Sequence, residues 1–140
     1  MRLKSILQIF ILLTLAFSVM SASELREVKK ISLKKDEQKE ILVKYDSIKK
    51  LFKFRWTLYK NGGLVIFRSY DTIVAQNILY LRHKNQSFRL ELKSRGVDNY
   101  NVPYVLVKFK EFNQETKTAD FELYLSDEKQ QIVLEYLNEK

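Results

Sequence analysis

The run from Leu51 to Arg68 constrains this chain more than any other stretch. Phe52, Phe54, Trp56 and Leu58 alternate with Lys53, Arg55, Thr57 and Tyr59, the period of two that sends one set of side chains to each face of a half-buried strand. Asn61-Gly62 follows, a pair that accepts the positive φ angles of a two-residue type I′ hairpin turn. That turn predicts Leu58 opposite Val65 and Trp56 opposite Phe67, large apolar pairs across the ladder. It also sets Arg55 opposite Arg68 on the other face, where water or an anionic partner must relieve the repulsion. A Gly62-Gly63 turn would shift the pairs by one step and keep the faces.

The flanking sequence continues in the same manner. Arg26 to Leu33 reads as a first strand with Ile31 and Leu33 on one face and Val28 out of phase, which calls for a bulge or a later start. Lys39 to Asp46 alternates through Ile41, Val43 and Tyr45. A helix over 36–51 through Ile41, Tyr45 and Ile48 competes with it, and the β-rich neighbourhood favours the strand. Ser69 to Gln76 reads as irregular. Asn77 to His83 and Phe88 to Lys93 then read as a second hairpin, with Phe88, Leu90 and Leu92 inward. Ser94 to Pro103 is the longest connection and holds the single proline, which marks it as a candidate functional loop. Tyr104 to Phe112 and Ala119 to Leu125 are strands with Val105, Val107, Phe109, Phe121, Leu123 and Leu125 inward, leaving Asp120, Glu122 and Tyr124 outward. The end fits a strand through Ile132, Leu134 and Tyr136, or a helix through Ile132, Val133, Tyr136 and Leu137; the strand is preferred. About nine short strands without a βαβ rhythm predict an all-β, antiparallel β-sandwich. An immunoglobulin-like arrangement is the first choice and a small barrel the second; the paired cysteines of many immunoglobulin domains are absent, and a buried Trp56 is the one shared cue.

The N-terminal residues belong to a different class. Arg2 and Lys4 precede an apolar run from Ile6 to Phe17, and small residues at 21–23 follow, the order of a secretory signal peptide. Residues 1–22 are therefore expected to be cleaved, leaving 23–140 as one domain that is not an integral membrane protein. The apolar run is shorter than the roughly 20 residues that a membrane-spanning helix needs. A chain without cysteine that is nonetheless exported fits the bacterial periplasm better than the disulfide-rich secreted domains.

Charge is distributed unevenly. Residues 24–70 carry 13 Lys and Arg against 6 Asp and Glu, whereas residues 71–140 carry 10 against 11. A one-sided positive field suits an acidic protein, an anionic lipid or a glycan. Export argues against nucleic acid as the partner.

The residue inventory excludes much chemistry. Without cysteine there is no thiol nucleophile, thiolate zinc site or iron–sulfur cluster. His83 is the single histidine, and both methionines, Met1 and Met20, lie in the N-terminal segment, which leaves nothing for a His/Met copper carrier. No Gly-x-Ser-x-Gly elbow and no phosphate-binding glycine spacing is present. Asp120 and Glu122 are spaced as a carboxylate pair, but on a strand face that reads as solvated. Neither a cofactor, a metal nor a catalytic residue is expected.

Two groups stand out as candidate partner-binding residues. Lys53, Arg55, Tyr59 and Arg68 are expected on the outward face of the central hairpin, where cations beside an aromatic ring grip phosphate, sugar or an acidic protein. Tyr100, Pro103 and Tyr104 form the second group, around the long loop. These features predict a non-enzymatic periplasmic interaction module that docks onto an envelope protein or complex. The alternative is a carrier of an anionic lipid or lipopolysaccharide-like ligand, which requires an apolar cavity between the sheets. A protease inhibitor of the immunoglobulin-like kind ranks last, for want of an inhibitory loop motif.

Overall fold

A computed structural model describes residues 25–94, 102–127 and 131–139; the expected signal peptide and most of the long loop, Tyr100 included, lie outside them. Nine strands occur among the described residues: β1 (Arg26–Lys34), β2 (Lys39–Tyr45), β3 (Ile48–Lys60), β4 (Gly63–Tyr70), β5 (Ile73–Tyr80), β6 (Ser87–Glu91), β7 (Tyr104–Asn113), β8 (Thr118–Ser126) and β9 (Val133–Leu137). They form two antiparallel sheets, ordered β1-β8-β7-β6 and β5-β4-β3-β2-β9. The all-β sandwich expected from the alternation is therefore present, the 39–46 segment and the C-terminal segment are strands, and no helix forms among the described residues.

The connectivity differs from the immunoglobulin order. β2 to β5 and β6 to β8 are two plain meanders, and the terminal strands are exchanged between them: β1 pairs with β8, and β9 with β2. An immunoglobulin sandwich instead threads its strands as a Greek key. Nor do the sheets close into a barrel. At the β5/β6 corner the Tyr80 N–H donates to the Asn85 carbonyl and no ladder follows. The expected second hairpin is thus a crossover between sheets.

Local turn chemistry explains the larger meander. Asp46-Ser47, Asn61-Gly62 and Asp71-Thr72 each have positive φ at both positions, and each joins a closed pair: Tyr45 to Ile48, Lys60 to Gly63, Tyr70 to Ile73. Two successive positive φ angles match the right-handed twist of the flanking strands. The 69–76 segment, which reads as irregular, is the end of β4, the Asp71-Thr72 turn and the start of β5. Asp71 and Thr72 are weak turn signals beside Asn-Gly, and Ile73-Val74 lie on an edge with no alternation to mark them.

β3 departs from the expected register at one residue. Leu58 does pair with Val65, but Trp56 pairs with Ile66 and Arg55 with Phe67, while Arg68 faces Phe54. Thr57 is the extra residue of a β-bulge, and a bulge reverses the inward and outward sets beyond it. Phe52, Phe54 and Trp56 are buried as expected, but Leu58 is exposed, and Tyr59 turns in to pack on the core. A second bulge in β7, between Phe109 and Glu111, reverses that strand in the same region. Tyr59 and Phe112 consequently meet face to face, with ring centroids 3.9 Å apart. The bulge that Val28 calls for in β1 also occurs, between Glu27 and Lys29.

Aromatic rings fill the space between the sheets. Phe54 meets Phe121 edge-on at 5.5 Å and Phe52 meets Phe88 at 6.4 Å. Trp56 packs on Phe112 and donates its indole N–H to the Leu33 carbonyl at 2.8 Å, tying β3 to β1 across the sandwich. Such rings each remove a large apolar area from water and favour these offset and edge-on contacts.

Candidate interaction surface

The outer face of β3, β4 and β5 is built in three rows. Leu58, Val65 and Ile78 form the first, Arg55, Phe67 and Gln76 the second, and Lys53, Ser69 and Val74 the third. Leu58, Phe67, Ile78 and Val74 are 48%, 38%, 45% and 71% exposed, so large apolar side chains lie in water next to Arg55 and Lys53. Scattered exposed apolar residues are ordinary; here they adjoin one another across three strands. A shallow depression of about 180 Å³ opens among Gln38, Lys53, Arg55, Phe67, Arg68, Ser69 and Val74.

The structure brings together two of the expected partner-binding residues. Lys53 and Arg55 share this face, and neither is engaged by a carboxylate among the described residues. Tyr59 leaves it through the β3 bulge. Arg68 leaves it too, because its register opposite buried Phe54 puts it on the inner side of β4. There its guanidinium lies 4.8 Å from the centre of the Phe88 ring, and Nε donates to Asn77 Oδ1 at 2.7 Å. Burial holds this guanidinium below its ordinary range. Tyr104 belongs to the other sheet, stacked with the Arg89 guanidinium at 3.7 Å. Tyr100 is outside the described residues. Phe67 was missed because the β3 bulge that turns its row outward leaves no mark in the alternation, and Val74 and Ile78 because 69–76 reads as irregular and 77–83 as one arm of a hairpin.

Elsewhere, several charged groups are matched. At the β1/β9 corner a groove of about 610 Å³ is lined by Lys29, Lys30, Lys39 and Glu139, and Glu139 pairs with both Lys29 and Lys39, which hold its carboxyl below the usual range. The outward carboxylates of β8 are also taken up. Asp120 accepts from the Ser32 hydroxyl, and Glu122 accepts from the Tyr124 hydroxyl and Lys110. Those two donors depress the Glu122 carboxyl, and the hydrogen bond pushes the Tyr124 phenol up to about 12. The pair lines a depression of about 380 Å³ together with Lys30, Ser32, Lys110 and Glu111, and both carboxylates are already taken up by donors within the sheet. Among the described residues no group of three or more His, Asp or Glu could hold a metal.

One polar cluster escaped the sequence. At the end of the sandwich Tyr45 and Tyr70 both donate to the Leu92 carbonyl, at 3.1 and 2.7 Å, and Lys50 lies over both rings while pairing with Asp71. Burial, reinforced by Tyr45 and Asp71, raises the Tyr70 phenol well above its usual range. Two hydroxyls from the larger sheet thus fix the strand end that follows β6, a tie between sheets. Comparison of the chain with protein families, curated proteins and solved structures yields no match. The fold and surface define an antiparallel β-sandwich protein with one apolar and basic sheet face.

Proposed function

We propose that this chain is a non-enzymatic binding module, exported to the periplasm, that docks onto an envelope protein through the outer face of β3–β5. The observation that carries the reading is the adjoining exposed set Leu58, Phe67, Ile78 and Val74, flanked by Lys53 and Arg55, which have no carboxylate partner among the described residues. An apolar centre with a cationic rim fits a protein whose contact patch is apolar with acidic residues around it. Export rests on the Arg2, Lys4 and Ile6–Phe17 pattern of the N-terminus. The lipid-carrier alternative has less support, since Phe54, Phe88, Phe109 and Phe121 occupy the space between the sheets where an acyl chain would lie.

A photo-crosslinking side chain at Phe67, compared with one at Gln114 on the β7–β8 turn, tests this in intact cells. The expected result is one envelope protein joined at position 67 and not at 114, with the yield reduced about tenfold by Arg55→Ala and Lys53→Ala together, a loss of about 1.4 kcal/mol. Equal labelling from both positions, or none from 67, would refute the docking face.

A further inference from the structure

β5 ends the five-stranded sheet, and its sequence, Ile-Val-Ala-Gln-Asn-Ile-Leu-Tyr, contains no charged residue and no proline. The other terminal strands are protected in familiar ways: β1 carries Arg26, Lys29, Lys30 and Lys34, while β6 and β9 are five residues long and carry Arg89 and Glu135. Long, uncharged edges are what folded proteins avoid unless the edge is used. The Tyr80 N–H, which donates to Asn85, points away from β4. Because the strand alternates without a register shift, the N–H and C=O groups of Val74, Gln76 and Ile78 point the same way, toward the edge that no strand among the described residues pairs.

We infer that β5 pairs antiparallel with β5 of a second copy of this chain, about a two-fold axis through Gln76, to give a continuous sheet across two sandwiches. Directly opposed residues then share a face: Gln76 meets Gln76 of the partner, Val74 meets Ile78, and Ala75 meets Asn77. Two apolar pairs come side by side on the outer face, and no like charges are set opposite each other. A closed two-fold contact of this kind is the commonest route to an oligomer.

Distances favour a second copy over an acidic strand from another protein. Arg55 lies two strands in from the edge, about 14 Å from any strand added to β5 at about 4.8 Å per spacing. It therefore gives such a strand no charge to select. Arg68, nearer the edge, is turned inward onto Phe88 and Asn77. The same spacing sets Arg55 and its counterpart about 24 Å apart in the pair, three times the physiological screening length of about 8 Å, so the basic faces do not oppose pairing. They lie side by side on one surface, which would present the proposed docking face twice.

The purified chain without residues 1–22 should sediment as a dimer. Gln76→Lys and Gln76→Glu, each putting like charges together at the axis, should each sediment as a monomer, with dimerisation weakened at least about tenfold. An equal mixture of the two should recover the dimer mass. A monomeric parent chain at high concentration, or a dimer that both variants leave intact, would overturn the inference. A second measurement does not depend on charged variants folding. The chain has no cysteine, and opposed residues in a hydrogen-bonded antiparallel pair stand about 5.5 Å apart, within disulfide range. Gln76→Cys should therefore cross-link rapidly under mild oxidation while Gln114→Cys does not; equal rates would overturn the pairing.

Discussion

Thr72 bears a local conflict that the fold tolerates. It occupies the second position of the β4–β5 turn at φ +71°, following Asp71 at +50°. The left-handed region costs an L-residue roughly 1–2 kcal/mol, and a β-branched side chain is among the least suited to it. Asn61-Gly62 solves the same geometry one hairpin earlier with the residues that suit it. Thr72→Gly should therefore stabilise the protein, by about 1 kcal/mol after the added freedom of the unfolded chain is counted. That corresponds to a rise of about 4 °C in Tm, measurable by calorimetry. No change or a fall would mean that the Thr72 side chain makes a contact worth at least the backbone strain.

At the scale of elements, the bulges in β3 and β7 decide which aromatic residues are core. Each inserts one residue, Thr57 or Lys110, and each reverses its strand so that Tyr59 and Phe112 turn inward and stack. The two bulges are therefore coupled through one pair of rings. A double-mutant cycle on Tyr59→Leu and Phe112→Leu, read from denaturant midpoints, should give a coupling energy of about 0.5–1.5 kcal/mol. A value near zero would mean that each bulge is held by its own strand. Here also lies the limit of reading by alternation. Phe52, Phe54 and Trp56 are one clean period-two series, and their burial was legible. Tyr59, Arg68 and Phe67 were assigned to the wrong face, because a single extra residue inverts everything after it and Thr57 carries no residue signature of a bulge. Val28 was legible as a bulge because Ile31 and Leu33 lie on one side of it in a conflicting phase. The exposed face of β3–β5 inherits this limit: Lys53 and Arg55 precede the bulge and lie on the face that the alternation gives them, whereas Leu58 and Phe67 depend on the register beyond it.

For the molecule as a whole, the exchanged terminal strands determine how the fold is completed. Periodicity identifies strands but says nothing about which of them are neighbours, so the β1–β8 and β2–β9 pairs were not legible, and the immunoglobulin order took their place. The β2–β5 meander closes through three two-residue turns, contacts of short sequence separation. The Ser32–Asp120 and Lys39–Glu139 contacts span 88 and 100 residues. Loop closure over such spans costs entropy before any contact repays it, so the meander should order before the terminal strands dock, and folding should take milliseconds to seconds. Buried side chains on the two kinds of strand should then separate in stopped-flow kinetics. Leu33→Ala in β1 removes a buried side chain and should cost about 2–5 kcal/mol, mostly as faster unfolding. Ile66→Ala in β4, buried within the meander, should take a larger share of its loss as slower folding. The reverse pattern would mean that the chain folds from its termini inward, with the β1–β8 pair as the nucleus on which the hairpins assemble.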